Sequence, residues 1–429
     1  MRILFSFILL QALLFGAIRH FDIYEMDGKI PGNTLLIIGG IHGDEPGGYF
    51  APSIITQYYT IKQGSLIVVP NLNFDSIVLN RRGVYGDMNR KFDEIDPKDP
   101  DFEPVKRIKA LITEPRVNFV INLHDGHGFY RDTWESAIFN PKAWGQAYII
   151  DQKTIDDVKF GNLDEITNAM IGALNESDLA NNHHEFGVKN TQTKFKDEQM
   201  QMSLTYYAIT HLKPALAIET SKNIVELDTK VLYQLRSIEA LMKIMEIEYE
   251  RPFELNRESI QTLLNHHGTL QINDSFTLPL EDSRNALYYV PMKKDNNSFK
   301  FTHPLGAIID RGKYQQVMIG NIPKIRLYPQ EFDLNCPYNK AKVLADGVEQ
   351  EVNFGTILHV KRDFKVLPTD EFRVNLIGFV TKDRDSQDGI SVTKDDFIPR
   401  FSLDKNQRLF RAEFYDNGDY CGTITLAFD

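Results

Sequence analysis

Basic residues are in deficit, with 48 Lys and Arg against 59 Asp and Glu, a formal net charge of −11. Binding to a phosphate backbone needs clustered Lys and Arg to release counterions, so no nucleic-acid partner is expected. Long apolar runs are missing too. The run from Ile3 to Phe15, interrupted only by Ser6 and Gln11, falls short of the roughly 20 residues that span a bilayer. It follows Arg2, closes on Gly16-Ala17 and gives way to Arg19, His20 and Asp22, the order of a secretory signal peptide. Residues 1–18 are therefore expected to be an export signal, with no stable membrane insertion. Cysteine is scarce. Cys336 and Cys421 lie far apart, and pairing and two buried free thiols both remain open. Both fall in the C-terminal tail, and the chain has no Gly-x-Ser-x-Gly elbow, so neither a cysteine nor a serine nucleophile has support. There is no internal repeat, low-complexity linker or glycine-rich phosphate loop.

What is present is an ordinary globular composition, 42% apolar and 25% charged, which places the bulk of the chain among folded domains. At 429 residues it exceeds one ordinary core, so two or three domains are expected. The runs Thr34–Ile38, Ser65–Val69, Val117–Leu123 and Ala215–Glu219 are short, apolar and largely β-branched, as strands buried on both faces are. Helical spacing covers about Gly47 to Tyr59, Val105 to Ile112 and Val225 to Glu248. This alternation predicts an α/β domain over 19–251, with a mixed, mainly parallel sheet flanked by helices. Beyond Arg251-Pro252 the texture changes to short alternating strands such as Leu270–Asn273 and Gln316–Ile319, with few helical periods. Asn417-Gly418 between two strand-like runs signals a hairpin. Two small β domains are predicted, 252–335 and an immunoglobulin-like sandwich over 336–429.

Gly39-Gly-Ile-His42-Gly-Asp-Glu45 directly follows a buried strand, where α/β proteins place ligands. His124 follows the strand Val117–Leu123. Two His and one Glu are a ligand set for catalytic zinc that leaves a fourth position to water, so His42, Glu45 and His124 are the candidate metal ligands. Asp87-Met-Asn89-Arg90 lies between them in a turn-rich loop. Arg90 and Asn89 are placed to hold a terminal carboxylate, and Arg82 to face the scissile carbonyl, because guanidinium forks grip oxyanions bidentately. Glu219 ends an otherwise apolar strand, where burial would raise its pKa towards that of a general base. Trp144 is a candidate substrate wall, with ordinary burial as the alternative.

On His42-x-x-Glu45, Asn89-Arg90, Leu-His124 and the strand-end Glu219 in Ala-Ile-Glu-Thr, residues 30 to 250 resemble the zinc carboxypeptidases of the funnel type, including their deacylase-like branch. The wording Gly-Asp-Glu-Pro-Gly-Gly-Tyr and Asp-Met-Asn-Arg is closest to the periplasmic peptidoglycan DL-carboxypeptidases that set helical cell shape. That resemblance implies one zinc per chain, Glu219 as acid/base, a periplasmic location, and removal of the terminal meso-diaminopimelate from peptidoglycan tripeptides. One feature departs from it. Digestive members carry a Tyr some twenty residues before the catalytic Glu; the stretch from Lys196 to Gln199 has none, and Tyr206 and Tyr207 read better as packing residues. His127 is a candidate to line the site, whereas His183 and His184 read as solvated. The rival readings are an N-acyl amino acid deacylase and a non-catalytic cell-wall scaffold; the oligomeric state is left open.

Overall fold

The computed structural model describes residues 20–175, 183–196, 198–382 and 384–429; the expected export signal lies outside the described residues. Eight strands form the main sheet: β1 (Tyr24–Asp27), β2 (Ile30–Ile38), β3 (Thr60–Val69), β4 (Phe119–Gly126), β5 (Ala147–Ile150), β6 (Gly187–Asn190), β7 (Ala215–Ser221) and β8 (Glu248–Glu250). Their order is β1-β3-β2-β4-β7-β5-β6, with β8 continuing the β1 edge of β3. The contacts β3–β2, β2–β4 and β4–β7 are parallel, whereas β5 joins β7 antiparallel. The central strands are buried on both faces, as their continuous apolar runs require.

The carboxyl ends of β2, β4 and β7 come together at one edge of this sheet, where the register sets His124 beside Glu219. The helix Pro46–Tyr58 starts there with Pro at its first turn, the position at which a missing N–H is harmless. Gly47 and Gly48 let it sit directly on β4. A Cβ at Gly48 would lie 2.6 Å from the Leu123 carbonyl, and one at Gly47 would lie 2.4 Å from Asp125 Oδ1. The helix Leu227–Ile244 packs beside it. Its C-terminal end comes earlier than the periodicity predicts, because Glu248–Glu250 turns back to pair with β3.

Two sheets occupy 269–331, one of three strands and one of four, preceded by a helix at Arg257–Leu264 that the sequence reading did not anticipate. Two more sheets occupy 340–428. Their longest strands, Leu409–Asp416 and Asp419–Phe428, are joined by Asn417 and Gly418, both at positive φ (48° and 100°), as the Asn-Gly pair predicts. One hydrophobic core runs from the main sheet into the sheets of 269–331, and the last two sheets enclose a core of their own. Cys336 and Cys421 form a disulfide at the edge of that second core.

Candidate metal centre and active site

The turn after β2 carries His42 and Glu45, and the end of β4 carries His124; all three are buried. His42 Nδ1 is 3.1 Å from Glu45 Oε1, and His124 Nδ1 is 2.8 Å from Glu45 Oε2 and 3.2 Å from His42 Nδ1. Two imidazole nitrogens and a carboxylate thus converge in one buried cluster, as the ligands of a single cation would. The far side of His42 is held by Asp87, whose Oδ1 lies 2.8 Å from Nε2. That contact leaves Nδ1 free to ligate.

The charges at Glu45 and His124 agree with this arrangement, whereas at His42 burial is outweighed by the Glu45 and Asp87 carboxylates, which raise the imidazole above its ordinary value. Burial alone would push the Glu45 carboxyl up, but the His42 and His124 imidazoles hold it well below the usual carboxylate range. Burial pushes His124 below its ordinary value, which favours the neutral imidazole that a metal requires. Glu219 stands on the pocket wall beside these groups. It keeps some exposure, yet desolvation by surrounding protein pushes its carboxyl well above the usual range, and the Glu45 and Asp125 carboxylates push the same way.

A cleft of about 510 Å³ opens above the triad and brings Arg82, Asn89, Arg90, Trp144 and Glu219 to one space. Arg82 donates to Glu45 Oε1 and Asp87 Oδ2, each at 3.0 Å. Arg90 donates to the Asn89 carbonyl (2.9 Å) and to Met200 Sδ (3.7 Å), and it makes no ion pair among the described residues. The Asn89 side-chain oxygen accepts from the Leu204 N–H at 2.9 Å, which fixes the loop against the helix Leu204–Thr210. Trp144 is half-buried, with Lys189 Nζ 4.4 Å from its ring centre.

His127 also lines the cleft. His183 is exposed, but His184 is not simply solvated: it stacks on Phe129 and lies 3.0 Å from the Tyr233 hydroxyl. Tyr207 packs on Phe92 and His211, and neither it nor Tyr206 lines the cleft. Three residues to which the sequence reading gave no role serve the site. Asp87 orients His42. Asp125 accepts from the Gly47 N–H at 3.0 Å and from Thr220 Oγ1, and so locks the helix start to β4 and β7. Lys222 bridges Asp44 at 2.7 Å and Glu45 at 3.4 Å. Their only sequence signal is adjacency to named site residues.

Residues 3–265 match a family described as the catalytic part of a carboxypeptidase controlling helical cell shape. The chain belongs to that family. Residues 334–429 match the C-terminal domain of metallo-carboxypeptidase, so this metallocarboxypeptidase carries both parts, and the deacylase and scaffold readings fall away. Among solved structures, apo cell shape determinant protein Csd4 from Helicobacter pylori is 34% identical and superposes with a TM-score of 0.90, over 95% of this chain and 100% of that one. The same protein bound to tripeptide, and its mDAP-bound form, described as a D,L-carboxypeptidase, each give 34% identity and a TM-score of 0.89 over the same shares. No curated protein matches the chain.

Proposed function

We propose that this metallocarboxypeptidase is zinc-dependent, acts in the periplasm after export, and removes the terminal mDAP from peptidoglycan tripeptides to leave dipeptides. The observation that carries the reading is one cleft in which the ligand triad, Glu219 and Arg90, an arginine with no direct ion pair among the described residues, stand together. Two imidazoles with one carboxylate suit zinc, which takes nitrogen and oxygen donors and keeps an open position in catalytic sites. The substrate follows from the relative that binds tripeptide and mDAP at 34% identity over 95% of the chain. Export is supported by the Cys336–Cys421 disulfide, since such bonds persist in oxidising compartments.

His42, Glu45 and His124 would hold the zinc, which when bound would supply a Lewis acid and lower the pKa of water. The remaining work belongs to the side chains. Arg90, with Asn89 beside it, receives the terminal carboxylate of the peptide. Arg82 supplies positive charge towards the scissile carbonyl oxygen as that oxygen becomes anionic. Glu219, with its raised pKa, takes a proton from the attacking water and returns it to the leaving amine. Trp144 closes one wall and limits water.

The test compares muramyl tripeptide with its lysine analogue, the tetrapeptide and an all-L peptide, with products read by mass spectrometry alongside metal analysis of the purified protein. Free diaminopimelate from the tripeptide is expected. Loss of one buried, paired carboxylate in the lysine analogue should cut kcat/KM by about 10⁴-fold, as for other sites built around paired polar groups. Equal rates on all four would reject the substrate, and a fully active protein free of zinc would reject the metal.

A further inference from the structure

A second cleft, of about 680 Å³, lies between the sheets of 269–331 and those of 340–428 and shares no lining residue with the active site. Strand periodicity explains its chemistry. Arg373–Ile377 pairs antiparallel with Leu409–Asp416, setting Arg373 opposite Tyr415, Asn375 opposite Glu413 and Ile377 opposite Arg411. The alternate residues Val374, Leu376, Phe410, Ala412 and Phe414 fill the sandwich core, so the polar set lies on the other face. An outer face of this kind is ordinarily solvated. Here Arg411 and Glu413 are only 6% and 3% exposed.

The cover is the strand Ala286–Met292, and it is irregular. Its register against Ile322–Glu331 shifts between Leu287 and Val290, and the intervening Tyr288 and Tyr289 are 58% and 70% exposed. Tyr289 sits at a φ of 55°, in the left-handed region that a bulky residue rarely enters. Bulges and strained residues of this kind gather at ligand sites, where they re-aim side chains. The Tyr289 carbonyl accepts from Arg411 Nη1 at 3.0 Å, and the same nitrogen lies 3.0 Å from Glu413. Arg411 Nε and Glu413 Oε1 are both buried without a hydrogen-bond partner among the described residues. Arg284 is turned to the Ser402 carbonyl (2.8 Å), while Arg373 lies over the Tyr415 ring and Arg400 over Phe401. Among the lining residues, four arginines accompany one carboxylate, Glu413.

We propose that this cleft is a second, non-catalytic site for a carboxylate-bearing peptidoglycan fragment, with a stem-peptide carboxylate on Arg373, Arg400 and Arg411 and the sugar against Tyr288 and Tyr289. Guanidinium forks match carboxylates, exposed tyrosines offer flat amphipathic faces, and the volume is that of a small-ligand pocket rather than a protein-docking surface. The choice of polymer rests on the function proposed above. The site would hold the enzyme on the wall polymer between cleavage events.

The test uses the full holoenzyme and the variant Arg373→Gln/Arg400→Gln, whose positions are exposed and whose loss should not disturb the core. The probe is purified sacculi already trimmed to dipeptides, so that retention does not report substrate. The variant should bind them about tenfold more weakly, and carbodiimide amidation of the sacculi should weaken wild-type binding similarly. Turnover of soluble muramyl tripeptide should be unchanged. Equal retention of variant and wild type, retention insensitive to amidation, or stronger retention on polyglutamate would each overturn the site. Failure of the wild type to cleave muramyl tripeptide would instead overturn the functional reading, a result scored independently of retention.

Discussion

Asp87 touches no point at which a metal would sit, yet its contact with His42 Nε2 decides which imidazole nitrogen is free. Such outer partners typically contribute 10- to 100-fold to metal affinity. Asp87→Asn should therefore weaken zinc binding by about that factor in a chelator competition. Arg82→Gln, which removes a partner of Asp87 and of the ligand Glu45 but spares the imidazole contact, should weaken the affinity less than Asp87→Asn does. Glu219→Gln divides the roles differently: kcat should fall by roughly 10²- to 10⁴-fold while zinc stays bound, because the proton carrier is lost and every ligand is kept. Loss of metal from that variant would make Glu219 a ligand instead. At this scale His42, Glu45, His124 and Glu219 are legible in the sequence because each ends or follows an apolar strand, and strand ends of a parallel sheet converge. Asp87 and Lys222 are not, since their roles depend on how a loop folds back over the triad.

The register of strands β4 and β7 sets His124 and Glu219 side by side, and Gly126 leaves room for the Glu219 side chain at the end of β4. A Cβ there would meet Gly145 N at 2.7 Å, Trp144 Cβ at 2.7 Å and Glu219 Oε2 at 2.8 Å. Two of these are backbone or backbone-proximal atoms that cannot swing away. Gly126→Ala should cost about 1–3 kcal/mol in urea unfolding, as overpacking does, and should also lower kcat by displacing Glu219. Gly172 is the converse case, exposed in the helix Leu163–Asn175 with nothing within 4 Å of a built Cβ. Gly172→Ala should raise stability by roughly 0.5–1 kcal/mol. A gain at Gly126 or a loss at Gly172 would contradict this account of the two glycines. The main elements are legible because β2, β3, β4 and β7 are buried on both faces and so are written as unbroken apolar runs. The edge strand β6 is half-exposed along its length and carries no such run, which is why it goes unseen.

The first β unit is joined to the main sheet more closely than two separately predicted domains would imply. Gly320 approaches Tyr49 and Phe50 of the helix that starts at the metal motif, at 3.1 Å from a built Cβ, and the Pro304 carbonyl accepts from Asn71 at the end of β3. That boundary is blurred in the sequence because a shared core needs no change of composition where it crosses from one sheet to the next. His303 lies next to this seam, buried, with Nδ1 accepting the Leu305 N–H at 3.1 Å. Burial pushes its imidazole down to about 3, with the neighbouring His267, His266 and Lys324 acting in the same direction. The sign follows from linkage. A histidine whose folded value lies below its unfolded value of about 6.5 binds its proton more readily in the unfolded chain. Its contribution is thus complete above pH 6.5 and is lost as pH falls from there towards 3. At pH 4.5 the loss should be roughly 2–3 kcal/mol, and it should weaken the seam that carries the metal helix. Other buried groups titrate in the same range, so the measurement is a difference: urea midpoints at pH 7 and pH 4.5 for the wild type and for His303→Asn. The variant should be less stable at pH 7 but should lose less on acidification. Identical pH slopes in the two proteins would show that His303 is free to take up a proton in the folded state and that the seam is not its constraint.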